Sequence, residues 1–296
     1  MAKNKEKKEV EKTCLSAPIN WYPGHMAKTK RLIKEQIDLI DVVYEVIDAR
    51  KPISSKIIDI EEFVKTKPRI LIINKSDLCD KKETEKWIKY YESKGYNVIS
   101  YNLENHPNMK PLINLTMEVM KDKTLKREEK GLKQRKIRAL VMGIPNVGKS
   151  TLINRLANKK VTNIGNKPGV TKNLSWIRVN DDIELLDSPG ILWPKLDEEN
   201  AFALAAFTAI KEDVLPLYDV VYYILTSLAK YYPEKLKERY DIDSLDEDMI
   251  TNLEFIGKKR GCLIRGGEID YDKVIELIIN DIKNGYIKEI TFDRFK

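Results

Sequence analysis

The stretch GIPNVGKS, residues 143–150, decides the fold of this 296-residue chain. It follows the apolar run 139–142 and matches G-x-x-x-x-G-K-[ST], a loop that joins a β-strand to an α-helix. The glycines let the loop curl, so that successive backbone N–H groups converge on phosphate oxygens, and the helix start adds positive potential. We expect Lys149 to reach the β- and γ-phosphates and the Ser150 hydroxyl to bind Mg²⁺. The nucleotide-binding residues predicted in this loop are Asn146, Val147, Gly148, Lys149, Ser150 and Thr151.

A second phosphate contact is predicted from DSPG, residues 187–190, which follows the apolar run 183–186. At the tip of a strand, the Asp187 carboxylate can hold Mg²⁺ while the Gly190 N–H meets the γ-phosphate. Thr171 lies between the two motifs in a Gly-Val-Thr loop. We expect Thr171 to ligate the same ion, to take part in catalysis, and to become ordered only when the γ-phosphate is present.

The turn NKSD, residues 74–77, ends the apolar run 69–73 and predicts which base is bound. Asp77 offers two acceptors that match N1–H and the exocyclic amine of guanine, whereas adenine has an acceptor at N1 and no amine at C2. A site built on such hydrogen bonds rejects the wrong base by about 10⁴–10⁵-fold. Asn74 is expected to brace the base and the loop, and the Lys75 stem to cover the ring. The nucleotide-binding residues predicted here are Asn74, Lys75, Ser76 and Asp77, and with the other two motifs they predict GTP or GDP as the ligand.

The order of these motifs is unusual. In most phosphate-loop GTPases the base-reading motif follows the phosphate loop, whereas here Asp77 precedes Gly143 by 66 residues. A sheet tolerates this permutation when the new termini fall at surface loops, because the spatial neighbours stay the same. The arrangement therefore resembles the circularly permuted GTPases.

The resemblance extends over nearly the whole chain. It includes WYPGHMAK at residues 21–28 and GKKRGCL at residues 257–263. On these residues the chain resembles the RbgA/YlqF family of ribosome-assembly GTPases. The resemblance implies GTP hydrolysis, a role in maturation of the large ribosomal subunit, and a helical C-terminal domain. It also implies a second base-contacting loop at Asn102 and Leu103. Leu103 departs from the small polar residue expected there, so we expect only a backbone contact.

The alternation of apolar runs with helical patterns predicts an α/β fold. We expect a circularly permuted P-loop GTPase domain, with a mostly parallel sheet and helices on both faces, followed by an all-α C-terminal domain. The predicted boundaries are a disordered basic tail at 1–16, the GTPase domain at 17–195 and a helical RNA- or ribosome-binding domain at 196–296. Predicted strands lie at 42–49, 69–73, 98–101, 139–142 and 183–186, with a further strand signal around Ile290. Predicted helices lie at 25–40 and 82–94, from Lys149 onward, and at 199–210, 220–231, 249–256 and 270–284.

The charge of the chain is unevenly distributed. The net charge is +7, but residues 1–196 carry 39 basic and 25 acidic residues, and residues 197–296 carry 14 basic and 21 acidic ones. Residues 121–138 alone hold nine basic and three acidic residues, and the sequence predicts them to be a linker. A positive half of this size favours a polyanionic partner such as nucleic acid, although a solvated basic surface is the alternative.

Other classes are excluded by composition. Three widely separated cysteines rule out a zinc ribbon or a disulfide framework and fit a reducing compartment. No apolar run approaches the roughly 18 residues needed to cross a bilayer, and the start has neither signal-peptide nor transit-peptide character. We therefore expect a cytoplasmic protein that has no membrane partner and is monomeric away from the ribosome.

Two residues carry predictions about catalysis. Where many GTPases place a glutamine to orient water, this chain has Ile191-Leu-Trp193, whose side chains cannot do so. The resemblance points to His25 as the replacement, and an imidazole is chemically suited to orient water; a structural or RNA-contacting histidine is the alternative. Asn146 resembles the asparagine of potassium-activated GTPases, so K⁺ is a second cofactor candidate, against a plain loop-bracing hydrogen bond.

An RNA-binding surface is predicted from clustered basic residues. They are Lys28, Lys30, Arg31, Lys258, Lys259, Arg260 and Arg265, which together could contact rRNA phosphates. We expect binding to the pre-large subunit in the GTP state and release on hydrolysis, because the γ-phosphate sensor leads directly into the helical domain. Two alternatives stay open: a GTP-gated RNA-binding protein with negligible turnover, and an adaptor to another RNA such as transfer RNA.

Overall fold

The computed structural model describes residues 24–57, 64, 66–133, 135–162, 174–191, 198–207 and 216–295. Its centre is a six-stranded sheet in the order β3-β2-β1-β4-β6-β5. All neighbouring strands are parallel except β5 and β6, so the predicted mostly parallel sheet is confirmed. The strands are β1 (Val42–Asp48), β2 (Arg69–Asn74), β3 (Asn97–Ser100), β4 (Ile137–Met142), β5 (Ser175–Arg178) and β6 (Ile183–Asp187).

The central strands are apolar because both of their faces are covered. All seven residues of β1 are buried, which is typical of a parallel strand between two helical layers. Parallel alignment brings the carboxyl ends of β1, β2, β4 and β6 to one edge of the sheet. Ligands of open α/β sheets bind at this edge, and all three sequence motifs begin where one of these strands ends.

Nine helices surround and extend the sheet within the described residues. They are α1 (Gly24–Gln36), α2 (Lys81–Ser93), α3 (Lys110–Glu129), α4 (Lys149–Ala157), α5 (Glu198–Ala206), α6 (Leu217–Tyr231), α7 (Pro233–Tyr240), α8 (Met249–Arg260) and α9 (Tyr271–Lys283). Helix α6 packs against α5, α7 and α9, which confirms an all-α region after the sheet. Asp270 caps α9 as predicted, because its carboxylate accepts from the Lys273 N–H.

The interpretation of residues 121–138 as a linker was wrong for its first half. Residues 121–129 are the second half of helix α3. The buried positions of this helix are Leu112, Thr116 and Met120, so a polar residue interrupts the apolar pattern in the middle. The Thr116 hydroxyl is accommodated by hydrogen bonds with the Tyr44 hydroxyl and the Leu112 carbonyl, both at 2.7 Å.

Two further differences lie in the C-terminal half. Helix α7 was not predicted, because only Leu236 and Tyr240 of its eight residues are buried and give a weak pattern. The strand signal around Ile290 was also wrong. Residues 284–295 follow α9 as an irregular tail, and two of their amides bond to loop carbonyls: Ile290 N–H to Leu78 O at 3.2 Å, and Phe292 N–H to Arg50 O at 3.0 Å.

The tail packs against the turn after β1 and against helix α2. The Asp293 carboxylate accepts hydrogen bonds from the Ile53 and Ser54 amides and from the Ser54 hydroxyl at 2.6–2.9 Å. The indole N–H of Trp87, on α2, donates to the Asp293 carbonyl at 3.0 Å. These contacts join the end of the chain to the turn after β1. No described helix combines the length and the apolar character that crossing a membrane requires.

Candidate functional site

Asn74 connects the three nucleotide loops at the carboxyl edge of the sheet. Its side-chain N–H donates to the Val147 carbonyl of the phosphate loop at 2.8 Å, and its side-chain oxygen accepts from the Leu103 N–H at 3.2 Å. Asn74 itself is 4% exposed. One buried amide therefore fixes the base-reading turn against both the phosphate loop and the second base loop. The structure brings together motifs that lie 73 and 29 residues apart in sequence.

Two glycines allow the loops to approach this closely. A Cβ on Gly148 would lie 2.2 Å from the Asn74 side-chain nitrogen, and the Gly148 φ of +103° is in the left-handed region. A Cβ on Gly190 would lie 2.7 Å from the Pro145 nitrogen, so the DSPG turn packs directly on the phosphate loop. The Ile191 N–H also donates to the Gly143 carbonyl at 3.3 Å.

The phosphate loop is arranged around a buried lysine. The Lys149 ammonium donates to the Ile144 carbonyl at 2.8 Å and is 7% exposed as a residue. Burial lowers the pKa of Lys149 to about 8, against the opposing attraction of Asp187. Asn146 has a left-handed backbone with φ of +62°, and it is half-buried. Val147 and Thr151 are buried, while Ser150 is half-buried at the helix start.

Asp187 has the character of a cation ligand. It is 1% exposed, and its Oδ1 atom accepts no hydrogen bond from the described residues. Burial raises the pKa of this carboxyl to about 6, although Lys149 and the Ser188 N–H act in the opposite direction. An acceptor oxygen that is buried without a donor fits a divalent cation, whose charge would reverse that shift. The chemistry of the side chain thus fits Mg²⁺.

The base-reading turn has one exposed and one buried end. Asp77 is exposed and open to a base, while the Ser76 N–H is held by the Tyr101 carbonyl at 3.1 Å. Lys75 has a φ of +62°, and its ammonium lies 2.9 Å from the Asp48 carboxylate. Burial, followed by repulsion from Arg50, lowers the pKa of Lys75, and Asp48 opposes both.

The second base loop is held from outside by a residue that the sequence interpretation missed. Arg155, on α4, donates to the Leu103 carbonyl at 2.8 Å, to the Glu104 carbonyl at 3.2 Å and to His106 Nδ1 at 2.6 Å. Leu103 is 1% exposed, so its apolar side chain is buried in the core. The Asn102 side chain accepts from the Glu104 N–H at 3.1 Å and shapes the turn. In the sequence, Arg155 was marked only by its position in the helix that follows the phosphate loop.

Asp48 was also missed, although it ends the strand next to the base-reading strand. Burial alone would raise the pKa of Asp48, but the Arg50 guanidinium and the Lys75 ammonium outweigh it and hold that pKa well below its usual range. A carboxylate at the end of a buried strand was a usable signal, because neighbouring parallel strands end at the same edge.

Several predicted site residues lie outside this cluster or outside the described residues. Thr171 falls in the undescribed range 163–173. The backbone of His25 is in the first turn of α1, and its side chain lies outside the described residues. The predicted RNA-binding residues lie on α1 (Lys28, Lys30 and Arg31), at the end of α8 (Lys258, Lys259 and Arg260) and in the turn before α9 (Arg265).

Some of the basic residues are already neutralised within the fold. Lys259 lies 2.6 Å from the Asp241 carboxylate, and Arg31 lies 3.7 Å from Glu35 on an exposed surface. In the basic stretch 121–138, Lys123 and Arg135 both pair with Asp41 at 2.7–2.8 Å. These basic residues therefore have carboxylate neighbours that a polyanion would have to compete with.

Comparison with known proteins identifies the family. A family model described as "50S ribosome-binding GTPase" matches residues 138–261, and one described as "RsgA GTPase" matches residues 26–197. The protein named "Ribosome biogenesis GTPase A" of Bacillus cereus is 46% identical over 276 residues, which cover 93% of each chain. The chain belongs to the RbgA/YlqF family. Its identity as a GTP-hydrolysing enzyme, expected from the motifs, is thereby confirmed.

More distant members support the same assignment. The "Ribosome biogenesis GTPase A" of Thermotoga maritima is 28% identical over 281 residues, which cover 93% of this chain and 94% of that one. Two solved structures of YlqF share the architecture at 25% identity. The GDP-bound structure has a TM-score of 0.64 and covers 89% of this chain, and the GNP-bound structure from T. maritima has a TM-score of 0.63 and covers 90%. The circularly permuted RbgA/YlqF fold is thus shared along almost the entire length.

Proposed function

We propose that the protein hydrolyses GTP to GDP in ribosome assembly, binding the pre-large ribosomal subunit through rRNA in its GTP state and leaving on hydrolysis. The observation that carries the nucleotide assignment is the Asn74 side chain, which bonds to both Val147 and Leu103. The bond to Val147 holds the NKSD turn against the phosphate loop, which supports a guanine nucleotide as the ligand. The ribosomal partner is supported by relatives such as the "Ribosome biogenesis GTPase A" of Bacillus cereus, which is 46% identical to this chain.

The nucleotide is assigned to the three connected loops. The Asp77 carboxylate reads the guanine edge, the Lys75 stem covers the ring, and the loop of Asn102 and Leu103 contacts the base through its backbone. The phosphate loop from Asn146 to Thr151 and the Gly190 N–H surround the phosphates. These N–H groups and Lys149 stabilise the negative charge that spreads over the transferred phosphoryl oxygens.

The residues present fit Mg²⁺, which is assigned to Ser150, Thr171 and Asp187. When bound, Mg²⁺ neutralises charge on the β- and γ-phosphates. The buried Oδ1 atom of Asp187, with no donor among the described residues, supports this assignment. K⁺ is assigned to Asn146, whose left-handed backbone places its side chain at a bend of the loop. Comparing turnover in potassium and in sodium buffers tests that assignment, and equal rates would contradict it.

The attacking water needs a polar group that the DSPG turn does not provide. Ile191 is 2% exposed and packed in the core, so it neither orients nor deprotonates water. We assign this role to His25 in the first turn of α1, with a ribosomal group able to complete the site. This allows hydrolysis to be slow in the free protein and faster on the subunit.

The ribosome-binding step is tested by co-sedimentation. Purified protein is mixed with immature large subunits in the presence of GDP or a non-hydrolysable GTP analogue, with mature subunits and transfer RNA as comparison partners. We expect retention on the immature large subunit that is stronger with the GTP analogue. Equal retention in both nucleotide states would contradict the coupling, and retention by transfer RNA alone would favour the adaptor alternative.

A second function is favoured by the buried position of Ile191. The protein would then be a GTP-gated RNA-binding protein with negligible turnover, switched by nucleotide exchange. Single-turnover GTP hydrolysis with and without large subunits separates the two functions. A rate that stays at the level of the free nucleotide in both conditions would select the second.

A further inference from the structure

The carboxylate of Asp48, at the end of β1, forms ion pairs with two cationic side chains. Its Oδ2 atom lies 2.9 Å from the Lys75 ammonium and 2.8 Å from one Arg50 amino group, and its Oδ1 atom accepts from the Arg50 Nε–H at 3.0 Å. The Asp48 side chain is 5% exposed. Charge-assisted hydrogen bonds at this depth are strong, and their geometry is fixed by the buried carboxylate.

Lys75 needs this partner to keep its conformation. Its φ of +62° is disfavoured for a residue with a long side chain. The backbone continues from Lys75 through Ser76 to Asp77. The ion pair with Asp48 draws the ammonium back toward β1. The aliphatic stem of Lys75 is therefore held at both ends, by the backbone and by the ion pair of the ammonium.

Arg50 extends the connection to the C-terminal helices. Its second amino group donates to the Ile282 carbonyl in the last turn of α9 at 2.9 Å, and its guanidinium stacks over the Phe207 ring at 4.3 Å. The Arg50 carbonyl accepts from the Phe292 N–H of the tail at 3.0 Å. Arg50 is 1% exposed, so every polar group of its head has a protein partner or a ring against it.

We propose that Asp48 and Arg50 are positioning residues for the guanine nucleotide, which make its affinity depend on the docking of α9 and the tail. Asp48 fixes the Lys75 stem in its place against the base, and Arg50 fixes Asp48 through the Ile282 carbonyl. The inference rests on the assignment of Lys75 to the base under the proposed function. A partner that displaces α9 removes one anchor of Arg50 and weakens nucleotide binding.

This role differs in kind from that of Asp77. Asp77 faces the hydrogen-bonding edge of the base and therefore decides which base is bound. The Lys75 stem contacts the ring face, which is common to all purines. Loss of the Asp48 contact should therefore lower affinity for every purine nucleotide by the same factor.

The first experiment replaces the carboxylate with an amide of the same shape. Asp48→Asn leaves the half-buried Lys75 and the buried Arg50 as adjacent cations without a carboxylate between them, and we expect the Kd for GDP to rise about tenfold or more. The Kd for IDP should rise by the same factor, and for GTP turnover KM should rise more than kcat falls. The matched control is Asp41→Asn, which removes a buried carboxylate with two basic partners directly before the start of the same strand.

The outcomes are separable. An unchanged Kd for GDP in Asp48→Asn, or an equal loss in Asp41→Asn, overturns the inference while leaving the GTPase assignment intact. If the unsubstituted protein itself shows no preference for guanosine over adenosine nucleotides, the proposed nucleotide site fails first. Circular dichroism of both variants identifies a fold that has been lost.

The second experiment begins with the unsubstituted protein. Hydrogen exchange of the full protein is measured with and without GDP. We expect GDP to slow exchange at the Phe292 amide and in the last turn of α9, and to have no such effect in Asp48→Asn. Equal exchange with and without GDP in the unsubstituted protein would overturn the dependence on the C-terminal region.

Discussion

The Arg155 guanidinium lies 2.8 Å from the Leu103 carbonyl and joins the helix after the phosphate loop to the second base loop. The same guanidinium reaches the Glu104 carbonyl and His106. The base loop is therefore held on one side by Asn74 and on the other by Arg155. Its backbone needs little rearrangement to meet a base.

Arg155→Lys should speed up GDP release. A lysine keeps the charge but cannot donate to three acceptors in different directions, and each hydrogen bond lost costs about 1 kcal/mol. We expect the dissociation rate of a fluorescent GDP analogue to rise about five- to tenfold. Arg138→Lys is the control, because that guanidinium pairs with Glu184 on the sheet at 3.0 Å. Equal rates in the protein and in Arg155→Lys would show that the loop does not need this contact.

Gly148→Ala should weaken nucleotide binding. The new Cβ would meet the Asn74 nitrogen at 2.2 Å and push the base-reading turn away from the phosphate loop. We expect affinity for GDP to fall about tenfold or more, measured by equilibrium titration. Gly95→Ala is the control, since Gly95 also has a left-handed backbone but no atom within 4 Å of its Cβ position. It should cost about 1–2 kcal/mol of stability without affecting GDP affinity.

Asp77→Asn should change the preferred base from guanine to xanthine. The amide N–H can donate to the 2-oxo group of xanthine, whereas it opposes the exocyclic amine of guanine. We expect affinity for GTP to fall by about 10²-fold or more and affinity for xanthosine triphosphate to exceed it. Competition titrations with both nucleotides measure the switch. Asp182→Asn, at an exposed position away from the site, should leave the preference for GTP.

His25→Ala should lower kcat by about 10²-fold or more without a comparable loss of GTP affinity, because general-base catalysis contributes on that scale. Single-turnover hydrolysis in the presence of large subunits measures the chemical step directly. Gln36→Ala, at the other end of the same helix, is the control for helix stability. An unchanged kcat in His25→Ala would assign water activation to another group.

Asp41→Asn should alter stability in a pH-dependent way. Burial raises the pKa of Asp41, but hydrogen bonds from Lys123, the Arg138 N–H and Arg135 bring it below its ordinary value. A carboxyl whose folded-state pKa is lowered stabilises the fold above the unfolded-state pKa, and this contribution is lost as pH falls toward the folded-state value. We expect the difference in unfolding free energy between the protein and Asp41→Asn to be largest near neutral pH and to shrink below about pH 4. A difference that stays constant between pH 7 and pH 3 would contradict this account.

The sequence was most informative where geometry depends on short motifs. The phosphate loop, the NKSD turn and the DSPG turn each follow a buried strand, and parallel strands bring their carboxyl ends to one edge. The contacts of the phosphate loop with Asn74 and with the DSPG turn could therefore be expected without knowledge of the fold. The permuted order did not hinder this, because only spatial neighbours matter.

The residues that hold the loops were harder to predict. Arg155 and Asp48 act through contacts that span 52 and 27 residues of sequence, and neither belongs to a motif. Helix α3 was missed because Thr116 occupies a core position, which only its hydrogen bond to Tyr44 makes acceptable. A strand was predicted in the tail because its apolar residues alternate. That alternation cannot show that its backbone amides bond to loop carbonyls and not to a neighbouring strand.

The contact between Trp87 and the Asp293 carbonyl spans 206 residues of chain. During synthesis, helix α2 and the turn after β1 therefore emerge long before the segment that covers them. Those surfaces stay exposed to chaperones, or to premature association, until residues 291–295 have left the exit tunnel. Nucleotide capture by a nascent chain is expected to lag behind translation of all three nucleotide motifs, which a time course of GDP binding to stalled chains of increasing length would show.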